Sequence, residues 1–195
     1  MTVEQKPLIV FIAGWSHAGK DAVAKILVES YDFSRFAIAD AVKFRVASDQ
    51  AIPIEWCFDQ EKKSKPFRVD SDRTLREEII RMAEEGRTKD KEIWAREISN
   101  DLKKAIRKGQ RKFLISDWRH IEELLAIQKK IPEAILVPIQ VIRPSQLVSP
   151  VPDLTEYRLL GFPFWHTILN NGSLIRLSTT VASFVEDELS KIWNI

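Results

Sequence analysis

The sequence predicts an α/β protein of three layers: a sheet of about five parallel strands covered by helices on both faces. Two observations predict it. Short, unbroken apolar runs, the signature of strands buried on both sides, alternate along the chain with stretches of helical spacing. The first of these runs also passes directly into a glycine-containing turn and then a helix. A strand–helix alternation of this kind gives a parallel sheet, whose ligands gather at the carboxyl ends of its strands.

Each element has its own justification. Leu8-Ile9-Val10-Phe11-Ile12-Ala13 is a wholly apolar first strand. Residues 21–30 take helical spacing, with Val23, Ile26 and Leu27 on one face. Residues 35–38 form a weak short strand and 40–48 a helix. Residues 59–73 carry many charges, one proline and few apolar side chains, and read as a mobile surface connection. Helices are expected over 74–85 and 89–107. Phe113-Leu114-Ile115-Ser116-Asp117 is a second buried strand that ends in an acid, followed by a helix over 121–130. Residues 135–142 make a third strand, closed by Arg143-Pro144. Residues 148–160, with prolines in and beside them, read as a loop, and 166–169 as the last strand. Asn171-Gly172 turns the chain, and 181–193 is a terminal helix.

Composition narrows the function. The 195 residues suit one domain, 1–195, and 45% hydrophobic with 30% charged residues is ordinary for a chain with a real core. Thirty basic residues against 28 acidic ones leave a net charge of +2, too balanced for a protein that coats nucleic acid. A single cysteine, Cys57, excludes an internal disulfide framework. The apolar runs are too short to span a bilayer, and residues 1–6 lack the build of a secretory signal. A cytoplasmic protein binding neither nucleic acid nor membrane is the expectation.

The chemistry begins after the first strand. Gly14-Trp15-Ser16-His17-Ala18-Gly19-Lys20-Asp21 has the pattern G-x-x-x-x-G-K of a phosphate loop, with Asp21 where Ser or Thr is usual. The glycines let backbone N–H groups close around phosphate oxygens, and the start of the following helix adds its positive end. Gly14, Ser16, His17, Ala18, Gly19, Lys20, Asp21 and Ala22 are therefore the expected nucleotide-binding residues, with Lys20 reaching the terminal phosphates. Asp21 is either a magnesium ligand or a first-turn acid stabilised by the helix dipole. Asp117 stands at the height where a second acid of such enzymes organises magnesium, and equally where an aspartate would cap the next helix. Arg119, two residues on, is placed to lean over a transferring phosphoryl group. Arg143 ends the third strand on the same edge, and Lys43, Arg76 and Arg87 are basic residues of flanking helices. His17, His120 and His166 show no metal spacing.

Taken in order, the string 14–21, Phe36-Ala37-Ile38-Ala39-Asp40-Ala41-Val42-Lys43, Ser116-Asp117-Trp118-Arg119, Val141-Ile142-Arg143-Pro144 and Asn170-Asn171-Gly172-Ser173 resembles the deoxynucleoside monophosphate kinases of phages and large DNA viruses. These share the phosphate-loop nucleotide kinase fold with the animal phosphomevalonate kinases, whose helical segment is similar to residues 76–87. The resemblance implies magnesium-dependent transfer of the ATP γ-phosphoryl group to a phosphate on a small acceptor. It implies catalytic roles for Lys20, Asp117, Arg119 and Arg143, and magnesium at Asp21 and Asp117. Lys43, Arg76, Arg87 and Arg119 would hold the acceptor phosphate and the transferring group. Arg143 would face ATP at the root of a lid over 145–160, in which Thr155-Glu156 resembles the family's short Ser-Glu element, and the Asn170-Asn171-Gly172 turn would lie against adenine. A homodimer is compatible with this reading.

The sequence departs from that family in three places. Trp15, Ser16 and His17 stand where basic residues are common, the lid region has only Arg158 beyond Arg143, and Trp165 replaces an aspartate before the last strand. Three readings therefore stand side by side: a (deoxy)nucleoside monophosphate kinase, a kinase of phosphomevalonate or another small phospho-metabolite, and a nucleotide-binding protein whose catalysis has decayed.

Overall fold

A computed structural model of the chain describes residues 5–68, 72–146 and 158–193. Its centre is a five-stranded parallel sheet in the order β2-β3-β1-β4-β5, with β1 at Leu8–Ala13, β2 at Ser34–Phe36, β3 at Lys112–Ile115, β4 at Ile135–Ile142 and β5 at His166–Leu169. The first strand is the middle one. It pairs with β3 from Leu8 opposite Lys112 and with β4 from Leu8 opposite Ile135, so all six of its side chains are buried. That placement is why the run carries no polar residue.

Alternation along the strands sorts the core into two halves. Ile9, Phe11 and Ala13 face one helical layer, with Phe113 and Ile115 of β3. That layer holds α2 (Ile38–Gln50), α4 (Leu75–Lys89), α5 (Ile93–Arg107) and α6 (Ile121–Lys130). Leu8, Val10 and Ile12 face the other layer with Leu114, Val137, Ile139 and Val141. There lie α1 (Lys20–Tyr31) and a C-terminal helical run made of α7 (Leu174–Ser183), a π-helical stretch at Phe184–Leu189, and α8 (Ser190–Trp193). The α/β three-layer fold expected from the sequence is thus the observed one.

Element bounds differ from the sequence expectation where a cap or a tertiary contact overrides local preference. The last helix starts at Leu174 rather than 181, because Ser173 accepts the N–H of Arg176 and Leu177 packs into the core. The second helix starts at Ile38, so the short strand before it stops at Phe36. Within 59–73 the described residues include a short helix, α3 (Gln60–Lys63), capped by Asp59, which accepts the Lys62 N–H at 2.9 Å. Thr74 and Glu77 form a reciprocal cap on α4.

One packing detail places a residue of the site. Gly86, near the end of α4, lies against the indole of Trp94, and a Cβ there would sit 2.5 Å from the ring. The indole N–H donates to the Ala83 carbonyl at 3.1 Å. Glycine is costly inside a helix, and the cost is offset here by the close approach of α5. Arg87, the next residue, is thereby set at a fixed point on the C-terminal end of α4.

Candidate functional site

At the carboxyl end of β1 the chain turns through residues 14–19 into α1. Gly14 adopts φ +144° and passes so close to β4 that a Cβ would lie 2.4 Å from the Val141 carbonyl oxygen. Gly19 adopts φ +102°, and a Cβ there would lie 2.3 Å from the Asn170 amide nitrogen. Both positions require glycine for backbone conformation and for space. His17 also has a positive φ, 61°, without being glycine. The loop is closed by the Ala18 N–H donating to the Trp15 carbonyl at 3.1 Å. The Lys20 ammonium folds back over it, donating to the Gly14 carbonyl at 2.7 Å and the Trp15 carbonyl at 2.9 Å. Ser16, His17 and Asp21 are exposed and Ala18 is buried beneath them.

Asn170, expected as part of a turn against adenine, instead holds the phosphate loop. It is buried, its amide donates to the Ala18 carbonyl at 2.9 Å, and its own N–H donates to the Ile142 carbonyl. It ties the phosphate loop to the end of β5, whereas Asn171, of the same turn, is exposed beside it. Only the strand order brings residues 18 and 170 together.

Asp117 follows β3 and is committed to the backbone of α2. Its two carboxylate oxygens accept the N–H of Ile38 at 2.7 Å and of Ala39 at 2.8 Å. It therefore caps a helix, but α2 rather than the one that follows it in sequence, where the local cap residue, Ala37, has no side-chain acceptor. Burial pushes its carboxyl above the usual range, against the pull of the two amides.

The predicted basic residues fall into two groups. In the first, Lys43 donates to Asp40 at 2.7 Å and lies 4.2 Å from the ring centroid of Phe58. Arg76 donates to Gln60 at 2.9 Å. Lys63, which the sequence hid inside a charged run, joins them: burial, then the charges of Lys43 and Arg76, hold its ammonium below the ordinary range. Lys43 of α2 and Arg76 of α4 thus both bear on Lys63 of α3, and Lys43 and Lys63 both bear on the buried Cys57.

In the second group, His120 is pushed down to about 4 by burial and then by the charges of Arg87 and Arg158, with Arg119 also bearing on it. It is neutral at physiological pH, and its Nδ1 lies 3.2 Å from Arg158 Nη1, so the ring accepts from the guanidinium. Arg87 Nη2 donates to the buried Glu123 at 3.2 Å, and the Arg87 Nε is buried without a partner among the described residues. Burial pushes the Glu123 carboxyl up to about 7, with Arg87 pulling it back. Arg76 and Arg87 lie eleven residues apart on one helix, about 16 Å at 1.5 Å per residue, which sets the two groups apart along α4.

Between the phosphate loop and the second group runs a cleft lined by Trp15, Trp118, Phe164, Gln140, Arg119 and Leu159. Trp118 is fixed there by edge contacts with Phe11, Phe162 and Phe164 and by donating its indole N–H to the His120 carbonyl at 2.7 Å. Arg143 is exposed just past β4. Thr155 and Glu156 and most of the expected lid lie outside the described residues. Among the described residues no three acidic, histidine or cysteine side chains gather as a metal cluster, and no helix is long and apolar enough to cross a membrane.

Solved structures share this architecture. A dephospho-CoA kinase from Campylobacter jejuni aligns over 96% of this chain and 98% of its own, at 14% identity and a TM-score of 0.52. A sugar kinase from Janibacter sp. HTCC2649 aligns over 93% of this chain and 95% of its own, at 10% identity and a TM-score of 0.51. The chain has the phosphate-loop kinase fold. No protein-family model and no curated protein matches it. The resemblance to the viral kinases therefore rests on the motif order alone.

Proposed function

We propose that the protein transfers the γ-phosphoryl group of ATP to the phosphate of a small acceptor, a (deoxy)nucleoside monophosphate, giving the diphosphate. The observation that carries this reading is the pairing of a phosphate loop with two separate cationic groups on the same helical layer. ATP would lie on the loop, its β- and γ-phosphates met by the N–H groups of 15–20 and by Lys20. The acceptor phosphate would be met by Lys43, Lys63 and Arg76. Arg87, Arg119 and Arg158 would meet the acceptor phosphate from the other side, next to the loop, and take the charge that spreads over it in transfer. Two anions repel, and fixed positive charge in a site poor in water offsets that repulsion without rearrangement.

Magnesium, when bound, would supply charge neutralisation to the phosphates. The exposed carboxylate of Asp21, next to Lys20, fits a cation that takes one or two carboxylates along with phosphate oxygens and water. Asp117 already holds two amides and would take part through water. Arg143 would meet ATP from the far side of the loop.

A coupled ADP-release assay with ATP and magnesium, run against nucleoside and deoxynucleoside monophosphates and phosphomevalonate, tests this. Turnover with a nucleotide acceptor, lost in Lys20→Ala, is the expected result. Turnover with phosphomevalonate alone replaces the acceptor. ATP binding with no turnover on any acceptor replaces the function by nucleotide binding.

A further inference from the structure

Glu123 belongs to no part of the phosphate loop and lies too deep to touch a substrate, with about 1% of its surface exposed. It stands in the first turn of α6, and its carboxylate is shared between the N-cap of that helix and one distant segment. Oε2 accepts the backbone N–H of Arg119 at 3.4 Å and of His120 at 3.3 Å. Oε1 accepts Nη2 of Arg87, thirty-six residues away at the end of α4. One buried group therefore fixes the guanidinium of Arg87 and the backbone that carries Arg119. A guanidinium has five donors in a rigid fork, and holding one edge of it on a carboxylate decides where the others point. The Arg87 Nε is buried without a partner among the described residues. The neutral His120 ring receives Arg158 from the opposite side.

We infer that Glu123 is the positioning residue of the Arg87–Arg119 clamp, setting both arginines on one anion that docks beside the phosphate loop. The inference rests on the proposed phosphoryl-transfer reading and deepens it: Glu123 acts through Arg87 and touches neither substrate nor ATP.

The test uses the full chain with magnesium and the non-hydrolysable ATP analogue AMP-PNP, so that the phosphate loop is filled, and inorganic phosphate as the probe, titrated calorimetrically. Wild type, Glu123→Gln, Arg87→Ala and the double variant form a cycle. Glu123→Gln keeps the size of the side chain and one carbonyl acceptor, so the fold is retained and only the aim of Arg87 is relaxed. The expected result is phosphate affinity about five- to tenfold weaker in Glu123→Gln and at least tenfold weaker in Arg87→Ala. The double variant should be no weaker than Arg87→Ala alone, and AMP-PNP affinity should be unchanged in all four. Wild-type phosphate affinity in Glu123→Gln, additive losses in the double variant, or an equal loss of AMP-PNP affinity would each overturn the positioning role while leaving phosphoryl transfer intact. A wild-type chain that binds AMP-PNP but no phosphate overturns the acceptor reading and the positioning role together.

Discussion

The two sides of the cleft are built by different means. The phosphate loop is a backbone structure: six consecutive residues shaped by Gly14 and Gly19, sealed against Val141 and tied down by Asn170. The opposite side is a side-chain structure: Lys43, Lys63 and Arg76 come from three helices, Arg87 from the far end of the helix that carries Arg76, and Arg119 and Arg158 from two further segments, with Glu123 bonded to Arg87 and to the backbone of Arg119. The first kind of site tolerates little change in conformation and much in side chain, which is how Trp15, Ser16 and His17 can stand in the loop. The second kind tolerates the reverse. Damage to the loop should therefore fall on ATP, and damage to the cations on the acceptor.

The largest break in that comparison should come from Lys20→Ala, which removes the one side-chain charge the loop contributes. Turnover in the coupled assay is expected to fall at least a hundredfold, as when a donor to a developing charge is lost. Gly19→Ala comes next. It forces an L residue to φ +102° and drives its Cβ onto the Asn170 amide, so ATP affinity should fall about tenfold and stability by about 1–3 kcal/mol, read by ATP titration and thermal unfolding. Lys63→Met sharpens the other side. It should raise KM for the acceptor roughly fivefold and leave KM for ATP unchanged; an equal rise in both would merge the two sides into one site.

The smallest effect is one of pH. His120 titrates near 4 when folded and near its ordinary value when unfolded, so between about 4 and 6.5 the unfolded chain binds more protons and stability rises with pH. Glu123, raised to about 7, works in the opposite direction between about 4.5 and 7, where the folded state holds the proton. His120→Gln should remove the rising limb, by up to about 1.4 kcal/mol per pH unit, and leave stability falling across that window. Urea unfolding at a series of pH values checks it. An unchanged profile would place the ring in water, away from the arginines.

How much of this was legible in the sequence follows from the same contrast. The central strand and the phosphate loop are contiguous, so the apolar run 8–13 and the glycine spacing announce them, and β4 and β5 fall within the runs expected for them. Arg87 was visible as a basic residue of a flanking helix and Arg119 as an arginine two residues past Asp117, but not that they share a partner in Glu123, whose local place, third in the first turn of α6, announces only a helix cap. Lys63 was hidden for the opposite reason: among the charges of 59–73 a lysine reads as solvated surface. Asp117 was legible as either a cap or a metal acid, yet the helix it caps, α2, lies eighty residues earlier in the chain and is reached only through the pairing of β2 with β3. The hold of Asn170 on the phosphate loop needed the full strand order.

The central claim is that this cleft moves a phosphoryl group between two anions. The most direct measurement is 31P NMR of the chain with ATP, magnesium and the nucleoside monophosphates. The account predicts that ADP and a new diphosphate, carrying the former γ-phosphorus as its β-phosphorus, appear together and in equal amounts. Appearance of ADP with inorganic phosphate alone, whatever acceptor is present, would contradict it.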